Sequence, residues 1–519
     1  MKKFKRWLFT FCMAICTLTI ALGAVACGEN GGNKGNNATN QTQGGGTGGG
    51  TGGGTGGGGG TGGGGGTGGG GGTGGPQGGE SDPTADLFVM LLANNAEKNF
   101  YQDYFAEQAT EYGINITVEC YEPIEYYDKL AVSILRGNVP DIFYVRPNEI
   151  LTYKDFIYCL DDFKDSLGNA DSEFTNQNLS SLDLDDIYPL ALDLYKYDDG
   201  TKKMDPANGK LYAFPKDLGT QQLGYNAAVV NRFSAEIHDA GLPLPWELGQ
   251  GAYASKVNYT WDEYYEMCEI IANSGKNPGD IYATDIPDIE ILAKSFGGGI
   301  LNTDTMQVDV TSEAVQKAIA YQEKLVTVQP GKTKAAADYL MTTWMNFLQG
   351  KVAFYGAVGT WEISEYSGRL GSWDVMPWPT EDGSLDWYGK ISSTGFVVSK
   401  VCQNYQAAME IAASFMTEEV QLTMVHDKKL CVPLNKNLTA DYLSSANNGT
   451  YSPASRKLFI DVISGVHSFI PSAYYTYQNG WQYALNDELW KMWMGEAYTI
   501  DAALQTAMQD VLDGYKDKY

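Results

Sequence analysis

The residues that could break bonds in this chain are not arranged to do so. Its three histidines, His238, His426 and His467, are scattered and form no HExxH site. No GxSxG nucleophile turn occurs. Asp and Glu total 63, yet no recognised pair of carboxylates is placed as glycoside hydrolysis would require. Gly331-Lys332-Thr333 ends like a phosphate loop, but the Walker pattern needs glycine five residues earlier, where Val326 stands; an ordinary loop is expected. There is no CxxC and no Cys/His cluster at zinc spacing, so neither metal nor cofactor is expected. What remains is binding chemistry, beginning with Arg146-Pro147-Asn148 directly after a predicted strand. In open parallel sheets, ligands collect beyond the carboxyl ends of strands.

The elements that position this triplet are legible. Tyr127, Leu130, Ala131, Ile134 and Leu135 recur at helical spacing and lay one apolar stripe along a helix. Gly137 suits a left-handed cap, and Pro140 forbids continuation. Asp141 is expected to turn the chain into Ile142–Val145, an apolar run typical of a strand covered on both faces. Upstream, 114–120 reads as a strand, Leu87–Leu92 as another, and 97–112 as a helix with Tyr101, Tyr104, Phe105 and Tyr112 along it. The order β-α-β-α-β begins a doubly wound α/β lobe.

The first 26 residues are an export address: Lys2, Lys3, Lys5 and Arg6, then an apolar run to Ala26. The run is long enough for a retained transmembrane anchor. Its ending Ala24-Val25-Ala26-Cys27 resembles a bacterial lipobox, with Ala24 where leucine is commoner, which implies lipidation of Cys27. Either reading ties the N-terminus to a membrane. From Gly28 to about Pro83 the chain is nearly all Gly, Asn and Thr and cannot bury a core, so a disordered tether reaching roughly 40 Å is expected. Removing residues 1–26 takes four cations and no acid from a formal charge of −27. So acidic a surface argues against nucleic acid. Cys120, Cys159, Cys268, Cys402 and Cys431 remain, an odd and scattered set that reads as buried thiols, with one long-range pair left open.

Further along, 161–187 reads as loop with short helical turns. Asn208-Gly209 signals a turn, Pro215 is expected to limit strand continuation, and Leu223–Asn226 reads as a short strand. Thr260 and Glu263 form a capping box before a helix to about Ala272, with Trp261 read as structural. Strands are expected near 308–310, 350–354 and 395–399, and helices over 312–326, 406–415, up to Leu489, and 502–512.

Taken together, YDKLAVSILRGNVPDIFYV, NGKLYAFPKD followed by LGYN, TWDEYYEM, GKVAFYGAVGTW and STGFVVSK occur in an order that resembles bacterial extracellular solute-binding proteins of ABC importers, the maltose- and oligosaccharide-binding group. The resemblance covers nearly all of 84–519. It implies a two-lobed periplasmic-binding-protein-like α/β fold, each lobe a sheet flanked by helices, joined by a hinge. The first lobe would combine 84–218 with 395–435, and the second 222–390 with 441–519.

The same resemblance places ligand contacts at Asn94 and Asn95 after the first strand, at Arg146 and Asn148, at Thr220 and Gln221 before the YN motif, and at Asp285. Trp361 in the GxW turn, and Tyr475 and Trp481 around the segment after Ile470-Pro471-Ser472, would be aromatic contacts. A pyranose explains these types: its C–H face packs on an indole, and its hydroxyl rim needs groups that donate and accept. The implied protein is a monomer on the extracellular face of the cytoplasmic membrane that hands a sugar, in all expectation an oligosaccharide, to an ABC permease without catalysis. A secreted carbohydrate-active enzyme, and a surface sensor for a non-sugar solute, stay open as alternatives.

Overall fold

A computed structural model describes residues 81–163, 182–328, 343–444, 453–476 and 480–516. The export segment, Cys27, nearly all of the tether, part of the 161–187 loop and the Gly331-Lys332-Thr333 loop lie outside the described residues.

The first half is a parallel β-α-β-α-β unit: β1 (Leu87–Leu92), α1 (Asn95–Tyr112), β2 (Ile116–Tyr121), α2 (Pro123–Arg136) and β3 (Ile142–Val145). β1 pairs parallel with both β2 and β3. Every residue of β3 is buried, as its unbroken apolar run requires. Gly137 ends α2 at φ 82°, which a residue without Cβ adopts at no steric cost. Asp141 accepts the Phe88 N–H at 2.8 Å, so it fixes the entry to β3 against β1. The aromatic stripe of α1 gathers round Phe415, which stands 4.9 Å from Tyr104 and 4.6 Å from Phe396 between ring centres.

Two long strands join this half to the rest. β4 (Phe214–Asn226) is followed by α3 (Trp261–Asn273), β5 (Tyr282–Thr284), α4 (Ile289–Ser295), α5 (Glu313–Val328), β6 (Val352–Gly359), β7 (Trp373–Met376) and β8 (Gly389–Val398). Then come α6 (Tyr405–Ser414), β9 (Ser468–Phe469), α7 (Ser472–Thr476), α8 (Tyr483–Trp493) and α9 (Ala502–Lys516). The nine-stranded sheet runs β2-β1-β3-β8-β4-β6-β5, with β7 also on β4 and β9 on β8. The first part of β4 pairs with β8 from Phe214 to Gln221; its last part pairs with β6 and β7 up to Asn226. β8 in turn pairs antiparallel with β3 through Gly395–Val398.

Pro215 does not limit β4. The strand runs straight through it, because Pro215 faces Gly395 where the β4–β8 register shifts, a place where a missing N–H costs no regular ladder bond. The strand expected over 395–399 likewise begins earlier, at Gly389. In the second half, Trp261 is buried, donates from Nε1 to Ser295 Oγ at 2.8 Å and packs 5.1 Å from Tyr321, while Thr260 and Glu263 form the capping box. The five cysteines among the described residues are free thiols, four of them buried.

Candidate functional site

A cavity of about 990 Å³ opens where parallel strands from both halves end. That is the upper end of the roughly 300–1,000 Å³ usual for small-molecule sites. Asn94 follows β1, Glu122 follows β2, and Arg146 and Asn148 follow β3. From the other half come Ile286–Glu290 after β5 and Trp361 after β6, and the floor between is made by β4 and β8.

The floor is built from strand alternation and two glycines. Asp217 and Gln221 lie four residues apart on one face of β4 and both line the cavity. Gly219 stands between them; a Cβ there would meet Thr360 Oγ1 at 2.7 Å and Trp361 Cε3 at 3.2 Å, so its lack of a side chain leaves room for the Thr360 hydroxyl and for one edge of the indole. A Cβ on Gly359 would come within 2.4 Å of Trp361 Cε2. One side of the ring therefore rests on bare backbone, while the residue lines the cavity.

The cations among the described wall residues lie beside acids of the protein. Lys216 Nζ, buried, lies 2.9 Å from Glu97 Oε1 and 3.0 Å from Asp217 Oδ2. Burial alone would lower its pKa, but the Asp217 and Glu97 charges hold it well above the ordinary value. Lys390 Nζ lies 2.7 Å from Asp288 Oδ2, and Arg369 Nε 3.0 Å from Glu365 Oε2. The Arg146 guanidinium sits 5.2 Å over the Tyr127 ring, and the Glu149 charge acts on it. Burial pushes Glu149 up to about 7 against the opposing pull of Arg146. Burial and the adjacent Asp288 charge push Glu290 up to about 7; its carboxylate accepts from Gln482 Nε2 at 2.8 Å and Ser472 N at 3.3 Å. Burial likewise pushes Glu362 up to about 7, opposed by its hydrogen bond from Tyr366.

The structure brings Asn94, Arg146, Asn148, Gln221 and Trp361 together around this cavity. Asn94 Oδ1 also accepts the Glu97 N–H at 3.0 Å and so caps α1; the side chain of Asn95 lies outside what the structure describes. The other four candidates lie elsewhere. Thr220 points to the opposite face of β4 from Gln221, fully buried, where its Oγ1 accepts from Gln222 Nε2 at 3.1 Å. Asp285 is buried against β6 and accepts the Gly356 N–H at 2.8 Å; the cavity wall begins one residue later, at Ile286. Tyr475 is turned away, and Tyr474, one position round α7, reaches the cavity instead. Trp481 is fully buried, donates from Nε1 to Thr476 Oγ1 at 3.1 Å, and lies in the segment Gly480–Gln482 on which α9 packs. It is a core residue and does not form a platform in the cavity.

The cavity also uses residues that sequence reasoning missed. Lys216 and Asp217 stood inside the NGKLYAFPKD stretch, where no local signal marks either as a buried partner. Asp288 caps α4 through the Glu290 N–H at 2.8 Å, an acid ahead of an apolar run that marks a helix start. Gln322, Asn486, Leu489 and Trp493 carried no local signal.

The profile of the bacterial extracellular solute-binding proteins matches residues 103–449, more than half of the chain. A maltooligosaccharide ABC transporter solute-binding lipoprotein of Streptococcus pneumoniae R6 is 21% identical over 344 residues, covering 64% of this chain and 70% of that protein. An ABC substrate-binding protein of Listeria monocytogenes, solved with cycloalternan, superposes with a TM-score of 0.63 at 17% identity, covering 84% of this chain and 99% of its own. The GacH receptor of Streptomyces glaucescens, solved unliganded and with acarbose, gives 0.63 at 16% identity over 84% and 99%. These likenesses show the shared two-lobed α/β fold, and with the profile match they establish that the chain belongs to the bacterial extracellular solute-binding protein family.

Proposed function

We propose that the protein captures a neutral carbohydrate in the cavity between its two lobes and delivers it to the transmembrane subunits of an ABC permease. The lobes are those assigned by resemblance, 84–218 with 395–435 and 222–390 with 441–519, with β4 and β8 crossing between them. The observation that carries the ligand class is the wall chemistry. An indole is seated on glycine backbone, and among the described residues every cation in the cavity wall, Arg146, Lys216, Arg369 and Lys390, already faces an acid of the protein. Among the described residues acids outnumber these cations around the cavity, so an anionic solute would meet repulsion from them with no unpaired cation of theirs to offset it. A polyhydroxylated neutral solute needs an aromatic face and a rim of donors and acceptors, which Asn94, Asn148, Gln221 and Trp361 supply. Closure on the solute selects a conformation stabilised by contacts made to both lobes at once.

Lipidation of Cys27 would hold the protein on the extracellular face of the cytoplasmic membrane as a monomer, with the Gly/Thr-rich tether giving the body its reach. The maltooligosaccharide transport of the pneumococcal relative supports this reading. Calorimetry against a panel of neutral and acidic glycans tests it, with Trp361→Ala as control. Saturable binding of a neutral glycan, lost in the variant, is expected. Tight binding of a peptide, polyamine or anionic sugar alone overturns the ligand class, and sustained glycan turnover would replace transport with hydrolysis.

A further inference from the structure

A second cavity, of about 550 Å³, shares no lining residue with the first. It opens at the far end of β4, where Tyr225 stands beyond Gln221 by roughly 13 Å of extended strand. β7 pairs there with β4 and sets Asp374 directly opposite Tyr225, so the two side chains share one face of the sheet. Trp373 enters from the start of β7, braced by Tyr366 at 5.3 Å between ring centres, and Trp246 lies 6.0 Å from the Tyr225 ring. Both indoles are half-buried. Asn231, Ser372 and three alanines complete the lining.

Two groups here are not fully paired within the protein. Tyr225 is only 4% exposed, yet among the described residues its hydroxyl makes no hydrogen bond. The Asp374 carboxylate accepts from Ser455 N and Oγ, each at 2.9 Å, and from Val375 N at 2.8 Å, but no described cation lies within ion-pair distance of it. The Arg456 charge acts on it, while the Arg456 guanidinium donates to the Tyr442 and Ser444 carbonyls. Among the described residues Asp374 is the one charged side chain of the lining. A carboxylate and the faces of aromatic rings both attract positive charge, and a net charge of −27 draws cations toward the surface. A pyranose would need a rim of open donors and acceptors, and much of the accepting capacity of Asp374 is already taken by Ser455 and Val375.

We propose that this cavity is a second ligand site, separate from the first, for an organic ammonium ion. The cation lies beside Asp374 and among Tyr225, Trp246 and Trp373, and an N–H or hydroxyl of the ligand donates to the Tyr225 oxygen. The site stands whether or not the first cavity takes a carbohydrate.

The test is calorimetric titration of the intact protein with choline chloride and with dimethylbutanol, its uncharged isostere in which carbon replaces nitrogen, at matched ionic strength. Choline should bind saturably and the isostere about tenfold more weakly or worse. Trp246→Leu and Asp374→Asn should each cut choline affinity about fivefold or more. Trp246→Leu should leave glycan binding in the first cavity within about twofold of wild type, which shows that the variant is folded. No choline binding, equal binding of the isostere, or choline binding unchanged in both variants overturns the proposal. So does a neutral glycan that still binds Trp361→Ala and is lost when Trp246→Leu is added, since the cavity is then a second carbohydrate site.

Discussion

Trp361 occupies the volume that a side chain on Gly359 would fill, with Cε2 only 2.4 Å from where that Cβ would stand. Gly359 has φ −85°, a conformation open to any residue, so the glycine is required by the indole and not by the backbone. Gly359→Ala should therefore push the ring off its seat while the strand survives. Affinity for a bound glycan is expected to fall tenfold or more, on the order of 1.4 kcal/mol or above, with a thermal midpoint changed far less than in Trp481→Ala. Titration calorimetry beside thermal melting separates the two effects.

Lys216 lies between Glu97 and Asp217 with its side chain only 3% exposed. Lys216→Met leaves the buried Glu97 and the part-buried Asp217 without their cation, and breaking a buried pair in this way costs about 3–5 kcal/mol. Urea unfolding should show that loss. Adding Glu97→Gln to Lys216→Met should restore part of it, because one of the stranded charges is then removed; a double variant no more stable than the single one would refute this account of the ion cluster.

Glu362 is neutral to a higher pH in the folded protein, about 7, than in an unfolded chain, where an ordinary Glu titrates near 4.5. Between those values the native state binds the extra proton, so this group's contribution to stability is complete below pH 4.5 and is lost as pH rises toward 7. Glu362→Gln should flatten the stability profile over that window, measured by chemical denaturation at stepped pH. A variant whose profile stays parallel to wild type would show that Glu362 titrates normally.

Trp481 and Trp361 are both tryptophans expected from the sequence to face a solute, but they predict opposite phenotypes. Trp481→Ala opens a buried cavity and should cost about 3–5 kcal/mol of stability. Trp481→Phe keeps most of the volume, loses the bond to Thr476 and should bind glycan within about twofold of wild type. Trp361→Ala should abolish most of the affinity with a small change in stability. Parallel melts and titrations of the three proteins decide the assignment.

Local sequence determined the elements wherever it carried period and punctuation. The all-apolar Ile142–Val145, the stripe ending at Gly137, and Thr260 with Glu263 specify a strand, a helix stop and a helix start through interactions within a few residues. The position of Arg146 and Asn148 beyond a strand end followed from the same local logic. Tertiary structure alone decided which face each residue shows. Thr220 and Gln221 are neighbours in the chain yet lie on opposite faces of β4, and Tyr474 and Tyr475 are separated by one step around a helix. Trp481 is sealed because α9 packs against its segment from the far end of the chain, while Trp493 reaches the cavity because a helical stripe happens to run along it. Those outcomes depend on contacts between residues distant in sequence, where composition and spacing carry no information.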